Sequence, residues 1–275
     1  MGAHPPTAPN PYAPPPPPPP PAATTPYPPL PARGSGQGSV LVVRLLGLGL
    51  ALALISVGAF GVVSQFFRQS LEESTMFAGQ IRQVVAETDL GDVWVHEGAA
   101  GQPLIVRRVL HWSFHKPTVE VTGGSGVVTA TGRCGNGGAS FGDCSVDLDL
   151  TVPHGTAVEI TTRTGDVRAD GLSGTLTASS TTGDVTLRGL RSPQVTAVAT
   201  TGDVAVAMVA DPQAVQARTS TGDVHVSLPD DGTAYRVSAR SAVGDRTVKV
   251  PVEPASTRAI TATASVGDVT VDVSS

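Results

Sequence analysis

The chain has 275 residues, enough for one good-sized domain with appendages, and 18 basic against 23 acidic side chains give it a formal charge of -5. That mild acidity argues against a nucleic-acid partner held through phosphates, which would need a clustered basic surface. Aromatics make up only 4% of the residues while Gly (31) and Pro (24) are abundant, so a core must be built from Val, Leu, Ala and Thr, which favours β structure.

Residues 1–39 form a polar, Pro-rich leader with an unbroken run at Pro14–Pro21. Proline fixes φ and removes a donor, so this tail is expected to be polyproline II and disordered, serving as a solvated spacer or as a docking strip. Residues 45–63, LLGLGLALALISVGAFGVV, carry no charge. About 20 apolar residues without a polar stripe predict a transmembrane helix over 40–66. A cleaved signal peptide is the rival, but its charged region would be unusually long and Pro-rich. Arg33 and Arg44 before the span nearly balance Arg68 and Arg82 after it, so flanking charge leaves the orientation open. Residues 67–79 read as a linker.

Cys134 and Cys144 are the only cysteines, and they bracket a Gly-rich loop, CGNGGASFGDC. A lone close pair without further ligands at zinc spacing reads as a disulfide, and disulfides persist outside the cytosol. The expected topology is therefore an N-terminus inside the cell and an extracytoplasmic C-terminal domain, 80–275, with single-pass membrane anchoring.

Within that domain the tetrapeptide Thr-Gly-Asp-Val recurs at 164–167, 182–185, 201–204 and 221–224, with LGDV at 90–93, VGDR at 243–246 and VGDV at 266–269. The glycines of the Gly-Asp pairs, from Gly142 through Gly165, Gly183, Gly202, Gly222 and Gly244 to Gly267, lie roughly 20 residues apart, the period of a repeat architecture. Each unit has an alternating β run, the corner, a second alternating run and a turn rich in Gly, Pro or Asp. This grammar predicts an all-β, parallel β-solenoid of about seven or eight coils, each stacked on the last. In each corner Gly supplies φ > 0, Asp bonds nearby backbone N–H groups, Thr shares hydroxyl bonds with its neighbour coil, and Val begins the next strand.

The carboxylates Asp166, Asp184, Asp203 and Asp223 would stand in a row about 5 Å apart, a candidate surface-binding ladder. Like charges at that spacing repel in water by only about 0.8 kcal/mol, so no cation is required. The nonapeptide period of calcium-binding rolls is absent, and equivalent corners do not split two pKa values as paired catalytic carboxylates must. In LHWSFH, His111, Ser113 and His115 share one strand face and Trp112 and Phe114 the other; the histidines are too far apart for one metal, and the aromatics are expected to cover the open end of the stack. No catalytic motif, cofactor or metal is expected.

LGDV at 90–93, HWSFHKP at 111–117, the Cys134/Cys144 pair followed by SVDLDLTVPHGTAV, and the later TGDV coils together resemble a bacterial "putative adhesin" family of β-solenoid domains of unknown function. The resemblance covers residues 80–275 and implies a β-helix-like stack and surface display, with no catalytic residues to carry over. VGDR departs from its pattern by setting Arg246 where Val belongs, marking that coil as distorted or edge-like. The expected function is a non-enzymatic, adhesin-like or scaffolding interaction module at the cell envelope, binding an envelope protein or polymer. The alternative is an envelope-stress sensor signalling through the Pro-rich cytoplasmic tail. A polysaccharide-processing enzyme is disfavoured because Tyr235 is the only aromatic after Phe141, and a filament of coils stacked end to end is a further possibility.

Overall fold

The computed structural model describes residues 46–50, 69–113, 115–135 and 144–274. The chain divides into two units, Met1–Leu54 and Ile55–Ser275. In the first, residues 46–50 are helical, with Leu46, Leu48 and Leu50 exposed. Among the described residues no helix is long and apolar enough to cross a membrane. The expected tail 1–39 lies outside the described residues, as does the expected span 40–66 apart from 46–50.

The second unit is all β: a ten-stranded and a nine-stranded sheet, both mostly parallel, as a β-solenoid requires. Successive strands pair off as coils, one strand in each sheet. These are β2 (Gln83–Leu90) with β3 (Val93–Glu97), β6 (Val127–Arg133) with β7 (Cys144–Val152), and β8 (Ala157–Thr164) with β9 (Val167–Asp170). Next come β10 (Leu176–Thr182) with β11 (Val185–Leu190), β12 (Gln194–Thr201) with β13 (Val204–Met208), and β14 (Ala214–Thr221) with β15 (Val224–Leu228). The last are β16 (Arg236–Val243) with β17 (Arg246–Val248) and β18 (Ala259–Val266) with β19 (Val269–Val273).

The alternation seen in the sequence is the alternation of burial. In QVTAVATT, Val195, Ala197 and Ala199 are buried while the residues between them are more exposed. Small inward residues let the two sheets close on each other, and Ile160, Leu176, Leu187, Met208, Leu228 and Ile260 fill the wider places.

Three expectations are corrected. First, within the expected linker 67–79 there is a strand: β1 (Gln69–Phe77) pairs antiparallel with β4 (Leu104–Trp112) along its whole length. The Arg108 guanidinium binds Glu73 there, and Phe77 packs against the core. QSLEESTMF looks unstructured because an edge strand is only half buried and tolerates Glu and Ser. Second, the coils do not stack in strict chain order. The β6–β7 coil lies outside β2–β3, and β18–β19 is inserted between β14–β15 and β16–β17. Third, LHWSFH does not continue as a strand. It bends after Trp112, so Ser113 is buried while His111 and His115 are exposed, and Lys116 lies 5.7 Å over the Trp112 ring. Phe114 lies outside the described residues. The end of the stack is covered instead by antiparallel strands, β1 and β4 on one sheet and β5 (Thr118–Gly124) on the other.

Candidate functional site

All the described Gly-Asp pairs lie on one corner line, between the first and second strand of each coil. The chain passes so close to the coil beneath that there is no room for a side chain. A Cβ on Gly183 would fall 2.1 Å from the Gly165 carbonyl oxygen, and one on Gly202 would fall 2.2 Å from that of Gly183. Gly165, Gly183, Gly202, Gly222, Gly244 and Gly267 all have φ between 133° and 144°, a region that side chains avoid.

The aspartates are joined to one another by hydrogen bonds. The N–H of Asp166 donates to Asp92 Oδ1 at 2.8 Å, that of Asp184 to Asp166 Oδ1 at 2.9 Å, that of Asp203 to Asp184 Oδ1 at 2.8 Å, and that of Asp223 to Asp203 Oδ1 at 2.8 Å. The series continues through Asp268 to Asp245 in spatial order. At the other end the rung is Asp147, which accepts from Asp92 N–H. It comes from SVDLD and not from a Gly-Asp pair; Gly142 lies outside the described residues. Each carboxylate therefore holds the next coil and does not cap its own turn, as the sequence reading had it. Asp184, Asp203 and Asp223 are exposed, and Asp166 is half-buried beside Arg168 Nη2 at 2.8 Å.

The threonine before each glycine does not share hydroxyl bonds across coils. It contributes its carbonyl, as where Gly183 N–H donates to Thr201 O. The hydroxyl that bridges coils belongs to the residue three before the glycine. Thr162 donates to Gly91 O, Ser180 to Gly165 O, Thr219 to Gly202 O and Ser241 to Gly267 O. Alanine stands there in two coils, at Ala199 and Ala264. The signal for these residues is the pattern Ser/Thr-x-x-Gly-Asp, which is legible once the repeat is aligned.

A second polar cluster gave no local signal, because its members come from three coils. His154 Nδ1 is 2.7 Å from Glu97 Oε1 and 3.1 Å from Ser173 Oγ, while Ser173 donates to Glu97 Oε2. Burial raises the Glu97 carboxyl, but hydrogen bonds from Ser173 and His154 outweigh it and hold the group below the usual carboxylate range. Both contacts of the imidazole are made by one nitrogen. A nucleophile–base–orienter relay uses the two nitrogens on opposite sides; as placed, the cluster ties together loops of three coils. Among the described residues no group of three or more His, Cys, Asp or Glu is placed to hold a metal.

Cys134 and Cys144 form a disulfide with their Cα atoms 5.9 Å apart, joining the end of β6 to the start of β7. The expected pairing is present, and it fastens the coil nearest the antiparallel cap.

Residues 80–275 match the family described as Toastrack DUF4097. Similar solved structures include a "putative cell adhesion protein" from Clostridium sporogenes, 13% identical over 75% of this chain and 100% of that one, with a TM-score of 0.44. Another is a "putative adhesin" from Bacteroides fragilis, 13% identical over 75% of this chain and 97% of that one, with a TM-score of 0.43. No curated protein matches the chain.

Proposed function

Because the chain belongs to the Toastrack DUF4097 family, we propose that it is a membrane-anchored, extracytoplasmic interaction module of the cell envelope with no chemistry of its own. In this reading residues 40–66 cross the membrane once, residues 1–39 lie in the cytoplasm, and the stack faces outward. The observation that carries it is the corner line. Its carboxylates, hydroxyls and carbonyls are engaged in coil-to-coil hydrogen bonds. Such a ladder makes a stiff, regular display surface, and the Cys134–Cys144 disulfide suits an oxidising compartment.

Protease added to intact cells should degrade the domain 69–275 while leaving the tail 1–39 protected. Protection of the domain in intact cells, with cleavage only after lysis, would remove the topology. Proximity labelling from the C-terminus should then mark envelope components.

A further inference from the structure

The outer face of the larger sheet carries a groove of about 310 Å³ beside the antiparallel cap, lined by residues of β1, β3, β4 and β7. Its centre is a row across the strands. Arg107 of β4 stands opposite Asp149 of β7, which stands opposite Trp94 of β3. The short Asp149 side chain between two long neighbours makes the hollow. Trp94 is 50% exposed, the only large aromatic so exposed among the described residues. One position along, Val109 adds apolar surface next to Asp147, with Glu72 and Asp92 at the margins.

Two features define what the groove can hold. It combines apolar lining with four carboxylates, Glu72, Asp92, Asp147 and Asp149, against a single arginine, and that arginine already lies 3.4 Å from Glu72. Among the described residues the ion partner of Asp149 is His96, whose Nδ1 lies 3.5 Å away. The indole also already receives a cation on its side away from β7, where the Arg168 guanidinium lies 5.8 Å over the ring. Arg168 Nη1 lies 3.7 Å from Asp92, and His111 Nε2 lies 3.7 Å from Asp147, so Asp147 and Asp149 have only histidines as ion partners among the described residues. An aromatic face, an apolar wall and two carboxylates without a Lys or Arg partner together complement a group with a hydrocarbon stem and a cationic tip.

We propose that this groove binds a lysine side chain presented by a partner polypeptide, with the stem on Trp94 and Val109 and the ammonium at Asp149 and Asp147. A ring-borne amine has no stem to lay along the apolar wall, and a neutral sugar leaves the carboxylates uncompensated. The inference deepens the reading of the domain as an interaction module. It can fail separately, because binding in solution does not depend on topology.

The test uses the full-length protein carrying Trp112→Phe, which leaves Trp94 as the sole indole of the two in the chain. Titration with Nα-acetyl-lysine methylamide should give a saturable change in emission. The neutral norleucine analogue, which keeps the four-carbon stem and lacks the ammonium, should bind about two- to fivefold more weakly, the loss expected for one charge pair at a partly exposed site. Asp149→Asn should weaken the lysine ligand to a similar degree, and Trp94→Leu should abolish calorimetric binding, with circular dichroism showing both variants folded. If either variant fails to fold, the comparison of lysine and norleucine ligands on the Trp112→Phe protein decides alone. Equal binding of the norleucine analogue, tighter binding of glucosamine or glucose, unchanged affinity in folded Asp149→Asn, or no saturable change would each overturn the proposal.

Discussion

Gly202 illustrates what a single corner residue contributes. Its φ of 138° and the 2.2 Å approach of a would-be Cβ to the Gly183 oxygen leave Gly202→Ala two ways to relax, and both separate adjacent coils. The expected loss is about 3 kcal/mol or more, read by chemical denaturation. Its neighbour separates charge from hydrogen bonding. Asp203→Ala orphans the Asp223 N–H and should cost about 1–2 kcal/mol, whereas Asp203→Asn keeps an acceptor oxygen and should cost much less. Equal losses would mean that charge and not the bond matters there. Tyr235 holds the far end of the stack. Its ring is buried and its hydroxyl donates to Asp211 Oδ1 at 3.0 Å. Burial first, and then the Asp211 carboxylate, push its phenol well above the usual value. A group whose pKa rises on folding stabilises fully below its unfolded value, about 10 for tyrosine, and loses that contribution as pH climbs beyond it. Unfolding of the native protein should therefore become steeply easier above about pH 10. Tyr235→Phe should start about 1–2 kcal/mol less stable and lack that alkaline component.

The elements show which parts of this architecture could be read from sequence. Runs such as VTAVATTGDVAV carry the alternation of two strands and the bend between them, and repetition every 18–23 residues implies coils. The strand order does not follow from this. A coil ending in VGDV and one ending in VGDR fit the same slot by pattern, and only inter-coil packing makes β18–β19 slide inside β16–β17. The role of the aspartates was equally hidden, since a bond from one rung to the next exists only once the stack does. Arg246 did signal its place: β17 is the outermost strand of its sheet and only three residues long. The inserted coil has a consequence that a simply wound solenoid lacks. Ending the chain after residue 258 removes β18–β19, the partner of both β14–β15 and β16–β17. Hydrogen exchange should then show residues 236–248 unprotected while β8 to β13 stay slow, because each coil depends mainly on its neighbours. Retained protection at 236–248 would mean that this coil can dock directly on β14–β15.

At the scale of the whole domain, its two ends differ. One is closed by antiparallel strands, β1 and β5, which cannot continue a parallel stack. The other ends in β16 and β17, parallel strands with unpaired outer edges, beside an exposed Val243. Coil stacking end to end in one sense, which would build a filament, would have to seat a parallel open end on an antiparallel cap, so the contact these ends favour is two chains meeting at their open ends. Edge strands left unpaired invite association, and charges on them oppose it. Arg236, Arg240 and Arg246 stand exposed on this last coil, so the juxtaposed edges of two copies would bring six guanidinium groups together, three from each. Arg246→Val restores the residue found in the other corners and removes two of the six. Analytical ultracentrifugation at moderate salt should show native protein as mostly monomer and Arg246→Val shifted toward a dimer, with nothing larger. A series of trimers and longer species in either protein would show that the antiparallel cap is no barrier, and that the asymmetry of the ends does not limit assembly.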